Sequence, residues 1–142
     1  MTWLIVEDEE DIRNIVQFMA KVWGHDSIVF PDGTRAVHWL EEVDEGTYEG
    51  DLPELALLDI RMPGYTGDEV AARIRRSPAL EQIAIVMMTA FSLSETEYSR
   101  VMVTGGADHL IYKPLPDMDE LHYALIRILE EKRAVGQQHK GA

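Results

Sequence analysis

Apolar positions along the chain fall into five short runs, each followed by a stretch in which they recur every three or four residues. Trp3-Leu4-Ile5-Val6 predicts a first strand. Ile12, Ile15, Val16, Met19, Val22 and Trp23 then predict a helix that Gly24 stops. Ser27-Ile28-Val29-Phe30 predicts a second strand, closed by the turn Pro31-Asp32-Gly33 and followed by a helix through Ala36, Val37, Leu40 and Val43. Leu55 to Leu58 predicts a third strand ending at Asp59. Thr66-Gly67-Asp68-Glu69 is a capping-box pattern that opens a helix through Val70, Ala71 and Ile74. Ile83 to Met88 predicts a fourth strand, and Ser94-Glu95-Thr96-Glu97 is a second capping box, whose helix ends at Gly105-Gly106. His109 to Tyr112 predicts a fifth strand before Lys113-Pro114, and a last helix carries Leu121, Ala124, Leu125, Ile128 and Leu129.

The strands read as continuous apolar runs rather than alternating ones, so both faces of the sheet must be covered. Five such strands interleaved with five helices predict an α/β fold: a doubly wound parallel sheet with helices on both faces. The 142 residues are the size of one domain, expected over 1–133, with 134–142 as a polar tail. The acidic stretch Asp44 to Glu54, which holds Gly46, Gly50 and Pro53, is expected to be a solvated loop.

Charge narrows the function classes. The net charge is −13, and fourteen of the 26 acids but only three of the 13 bases lie in residues 1–54. Such a surface repels phosphate backbones, which argues against direct nucleic-acid binding by this domain. No apolar run is long enough to cross a bilayer, so no membrane partner is expected. The absence of cysteine excludes thiolate nucleophiles, zinc–thiolate sites and iron–sulfur clusters, and fits a cytoplasmic location.

In an open parallel sheet, ligands bind beyond the carboxyl ends of the strands. The residues there are Glu7 and Asp8 after the first strand, Asp59 after the third, Thr89 after the fourth and Lys113 after the fifth. Each alone has an ordinary use: Glu7 to Asp11 as the acidic first turn of a helix, Asp59 as a turn residue, Thr89 as a strand-end hydroxyl, Lys113 as a solvated loop lysine. Together on one rim they are chemically coherent. Clustered carboxylates call for a hard cation such as Mg²⁺. A lysine and a hydroxyl can meet phosphoryl oxygens, and Asp59 can attack phosphorus as a nucleophile.

These residues, read with Val6-Glu7-Asp8-Glu9, Leu57-Leu58-Asp59-Ile60-Arg61-Met62-Pro63-Gly64, Met88-Thr89-Ala90, Gly106-Ala107-Asp108 and Tyr112-Lys113-Pro114, resemble the receiver domain of two-component response regulators. The resemblance runs from Trp3 to about Lys132. It implies a flavodoxin-like sheet in the order 2-1-3-4-5. It also implies that Asp59 takes a phosphoryl group from a histidine kinase or phosphotransfer protein. By position, Glu7 and Asp8 resemble the acidic pair that organises Mg²⁺, with Asp8 as a direct ligand. Asp59 and the backbone carbonyl of Arg61 complete that metal set. Thr89 corresponds to the hydroxyl that moves toward the phosphoryl group, and Lys113 to the lysine that contacts it through a loop with a cis Lys113–Pro114 bond. Ala90 corresponds to the small residue that leaves access for the donor, and Arg61 and Phe91 to two variable positions that shape hydrolysis. Phosphorylation is then expected to shift the surface formed by the fourth helix, fifth strand and fifth helix toward a partner-binding state. The domain would assist its own phosphorylation and dephosphorylation without being a conventional enzyme.

Leu110 departs from this pattern, because the family usually carries Tyr or Phe there as a switch ring. Tyr112 lies two residues on, hence on the same strand face. It is read either as a partial replacement or as a packed edge-strand tyrosine. The expected output is a downstream protein contact, with a phosphorylation-dependent dimer among its forms, in a stand-alone regulator or phosphorelay component. The alternatives are the receiver of a longer DNA-binding regulator or hybrid kinase, and a scaffold receiver with unconventional switching. A flavodoxin proper fits less well, since five consecutive acids stand where an FMN phosphate loop would be. A haloacid-dehalogenase-type phosphatase would want D-x-D where Glu7-Asp8-Glu9 stands.

Overall fold

The computed structural model describes residues 1–140, with side chains through Gly136. Five parallel strands form one sheet: β1 (Thr2–Val6), β2 (Asp26–Phe30), β3 (Leu55–Asp59), β4 (Ala84–Thr89) and β5 (His109–Tyr112). Their order is β2-β1-β3-β4-β5, with all four neighbouring pairs parallel. This is the doubly wound, flavodoxin-like arrangement that the apolar runs and the resemblance together lead one to expect. The helices are α1 (Glu10–Val22), α2 (Gly33–Glu45), α3 (Gly67–Arg75), α4 (Glu95–Ser99) and α5 (Met118–Lys140), and a π-helical segment, Arg100–Thr104, continues α4.

The period of two in the strands sorts their side chains between two cores. Leu4, Val6, Ala56, Leu58, Ile85 and Met87 pack on α2, α3 and the π segment through Ala36, Leu40, Val70, Ile74 and Val101. Trp3, Ile5, Leu55, Leu57, Val86 and Met88 pack on α1 and α5 through Val16, Ala20, Leu121 and Leu125. Every residue of β1, β3 and β4 is buried. Each fully buried Leu or Ile stabilises the fold by about 1.5–3 kcal/mol relative to exposure.

Three segments differ from the sequence expectation. Asp44 and Glu45 belong to α2, not to a solvated loop, and the helix ends at Gly46 in the left-handed conformation (φ 78°). Asp44 is held by interactions: Ser77 Oγ donates to its Oδ1 at 2.6 Å and Arg73 pairs with its other oxygen. The expected single fourth helix is only five residues of α-helix before the π segment, and α4 buries none of its side chains. Finally, α5 runs on to Lys140 through most of the expected polar tail. Ala134 and Val135 are acceptable helix residues, and one internal Gly136 costs only about 1 kcal/mol. The last two positions of that tail lie outside the described residues.

Candidate phosphoryl site

The parallel strands end on one rim, and short connections fix the residues immediately beyond them. Glu7 N donates to Phe30 O at 3.2 Å, Ile60 N to Met88 O at 3.0 Å, and Lys113 N to Thr89 O at 2.7 Å, so the residues past β1, β3 and β5 are tied to neighbouring strands. The acidic run divides there. Glu7 and Asp8 face the rim, while Glu10 and Asp11 occupy the first turn of α1, where negative charge suits the helix dipole. Gly67 lets α3 begin against β3: its N donates to Ile60 O at 2.8 Å, and a Cβ there would lie 2.2 Å from Asp59 O.

The rim brings Glu7, Asp8 and Asp59 together, with one carboxylate oxygen from each within 4.8 Å of the others. Glu7 is fully buried, Asp59 is 5% exposed and Asp8 faces solvent. The Lys113 side chain is buried among them, with Nζ 2.9 Å from Glu7 Oε2 and 3.4 Å from Asp59 Oδ1. Its angle suits a hydrogen bond to Glu7 Oε1 at 3.1 Å, so Glu7 Oε2 has the ionic contact but no hydrogen-bond donor. The lip of the site is held by Arg13, whose Nη1 donates to Glu7 O at 3.0 Å.

One ammonium does not balance three carboxylates. Burial first, then the Asp8 carboxyl and the charge of Glu7, push the Asp59 carboxyl from its ordinary 3.8 up to about 7. Burial also raises Glu7, against the pull of Lys113. For Lys113, burial acts downward, but Glu7 and Asp59 outweigh it and hold the ammonium above its usual range. A buried acid raised this far, beside a buried carboxylate oxygen without a donor, is an oxygen-only site that suits a hard divalent cation.

Above the acids is a cleft of about 280 Å³ lined by Asp8, Glu9, Asp59, Arg61, Ala90, Phe91 and Lys113. Thr89 ends β4 wholly buried, and its Oγ1 accepts from Phe91 N at 3.1 Å, which leaves its O–H to donate elsewhere. Ala90 is exposed and leaves the cleft open beside Asp59. Arg61 lies over the half-exposed Phe91, with its guanidinium carbon 4.1 Å from the ring centroid. Leu110 packs against the α2–α3 core. Tyr112 is in register with Thr89 and 52% exposed, so its ring is not packed into the interior.

Glu7, Asp8, Asp59 and Lys113 therefore meet at one place, and Thr89 ends the strand beside them. Sequence reasoning missed Arg13 and Glu97. Glu97 is visible as a capping residue, but its Oε2 also pairs with Arg61 Nη2 at 3.3 Å, 36 residues away.

Comparison with known proteins agrees with this architecture. The profile of the response regulator receiver domain matches residues 3–126. An uncharacterized 14.6 kDa protein of Leptolyngbya boryana is 27% identical over 131 residues, covering 92% of this chain and 88% of that one. The phosphate regulon transcriptional regulatory protein PhoB of Rhizobium meliloti is 31% identical over 107 residues, 75% of this chain but 43% of PhoB. Among solved structures, the receiver domain of the sensor histidine kinase PA1611 from Pseudomonas aeruginosa has a magnesium ion in its active site cleft. It superposes with a TM-score of 0.74 at 22% identity, covering 91% of this chain and 97% of that one. With the profile spanning nearly all of the sheet and its helices, the chain belongs to the response regulator receiver domain family of two-component signalling.

Proposed function

We propose that Asp59 is the phosphoacceptor of this receiver, taking its phosphoryl group from a phosphohistidine of a histidine kinase or phosphotransfer protein. The observation that carries this is the meeting of Asp59 with two further carboxylates and a buried lysine at the open end of the central strands. An Asp59 carboxylate oxygen attacks phosphorus, the P–O bond forms as the P–N bond breaks, and the electron pair returns to the imidazole nitrogen. Lys113 Nζ, already 3.4 Å from Asp59 Oδ1, contacts a phosphoryl oxygen and helps keep Asp59 ionised. The Thr89 hydroxyl donates to a second oxygen. Ala90 leaves room for the incoming donor.

Mg²⁺ held by Glu7, Asp8, Asp59 and the Arg61 carbonyl would neutralise the charge that spreads over the phosphoryl oxygens. The ligand chemistry supports this, and so does the magnesium in the cleft of the PA1611 receiver. With the cation bound, the penalty of three neighbouring acids becomes a preference for the ionised nucleophile.

The test is intact-mass spectrometry after incubation with Mg²⁺ and a small acyl phosphate. One phosphoryl group is expected on the wild type, and none on Asp59→Asn or in excess chelator. An unmodified wild type, alongside a control receiver that is modified, overturns the proposal in favour of a binding scaffold.

A further inference from the structure

Phosphoryl transfer to Asp59 does not by itself explain how α4 would respond, because the position where a switch ring is expected holds Leu110, half-buried against the core. A different connection exists. Resting on the phosphoacceptor reading, we propose that Arg61 is a relay cation: Glu97 of α4 holds it in the unmodified protein, and a phosphoryl group on Asp59 draws it away, releasing the first turn of α4.

The shared cleft and five contacts carry this. Arg61 and Asp59 line the same cleft, so the flexible arginine borders the space a phosphoryl group would enter. The Arg61 guanidinium bonds Glu97 Oε2 at 3.3 Å and lies on the Phe91 ring. The other oxygen of the same carboxylate, Glu97 Oε1, accepts from Ser94 N at 3.3 Å, and Ser94 Oγ accepts from Glu97 N at 3.1 Å. One side chain therefore both caps α4 and ties it to the site. Lastly, Phe91 N donates to Thr89 Oγ1, so a Thr89 that turns toward the phosphoryl group disturbs the ring on which Arg61 lies.

The competition favours the phosphoryl group. It offers roughly two charges and three acceptor oxygens to a forked guanidinium. Glu97 offers one oxygen in a pair that is 50% and 30% exposed, where an ion pair is weak. Within α4 itself little else holds the helix. Its five residues bury no side chain, and the anchors flank it: half-buried Leu93 before it, and Val101, Met102 and the 3.2 Å pair of Arg100 with Asp68 of α3 behind it. Losing the Arg61 tie loosens the first turn of α4 between those anchors.

The test is amide hydrogen exchange over residues 93–104, with and without phosphorylation, compared at matched Asp59 loading measured by intact mass. In the wild type, phosphorylation is expected to speed exchange there several-fold. Glu97→Gln keeps an oxygen for the Ser94 cap but loses the charge that holds Arg61, so it should exchange fast from the start and gain little on phosphorylation. Arg61→Ala should behave the same way. A full wild-type response in both variants at equal loading overturns the relay and leaves the phosphoacceptor reading standing. Failure of the wild type to take up phosphoryl overturns both.

Discussion

Asp59, Glu7 and Asp8 form a site that works against the fold until something positive enters it. The sign is set by Asp59. Its carboxyl is raised from 3.8 to about 7, so between those pH values the folded protein keeps a proton that the unfolded chain has lost. Metal-free stability should therefore fall as pH rises through that window, and the loss should be complete above pH 7. Denaturant unfolding in chelator at pH 5 and pH 8 measures the slope. Asp59→Asn should flatten it and raise the stability at pH 8 by about 2 kcal/mol; an unchanged slope would show that the three acids do not strain the site. At this scale the sequence was highly legible, because a parallel sheet puts Glu7, Asp8, Asp59, Thr89 and Lys113 at strand ends. The Arg61–Glu97 pair was not legible. Nothing local to either residue says that a loop after β3 and a helix after β4 will present their side chains to each other.

Individual helices owe their positions to a few polar anchors as much as to their apolar faces. At the end of the sheet away from the acidic rim, Arg75 of α3 donates to Gly106 O at 2.8 Å, Ile83 O at 2.7 Å and Asp108 Oδ2 at 3.0 Å. Asp108 also accepts from Ile85 N at 2.8 Å and pairs with Lys132 of α5 at 3.0 Å. One carboxylate thus joins α3, β4 and α5 beside the start of β5. Asp108→Ala takes the carboxylate from Arg75 and Lys132 and leaves the buried Ile85 N–H without its acceptor, and should cost about 2 kcal/mol in urea unfolding. Arg35→Ala, which breaks only the surface pair with Asp32, should cost less than about 0.5 kcal/mol. If the two variants lost equal stability, the anchoring role of Asp108 would fail. The sequence marked Gly106-Ala107-Asp108 as a motif without revealing this work, since its partners are 23 to 33 residues distant. Helix ends were similarly mixed: the capping boxes at Thr66 and Ser94 located α3 and α4. The change from α to π geometry at Arg100 leaves no mark on hydrophobic spacing, because Val101 keeps its place in the core.

Across the whole molecule, the apolar pattern dictated the order of elements and both cores, because β1, β3 and β4 cannot be exposed on either face. The residues it leaves over are informative. On α1, Ile15, Phe18 and Val22 share one face and are 50%, 61% and 56% exposed, on the helix that begins beside Asp8. On the proposed phosphoacceptor reading, a protein donor is expected to lay an apolar surface along this stripe. Phe18→Ser should therefore slow transfer from a protein donor at least about tenfold, equivalent to about 1.4 kcal/mol of lost contact. It should leave transfer from a small acyl phosphate unchanged; equal slowing with both donors would place the defect in the site instead.

The Asp108 junction also bears on how such a protein can change over generations. The Asp108 network and the two cores tie helices to the sheet, while α4 contributes no buried side chain to either core. Exposed substitutions on α4, apart from Ser94 and Glu97, should cost within about 0.5 kcal/mol. New recognition surfaces can therefore arise and be discarded on that helix without bringing the domain near the threshold below which it no longer folds.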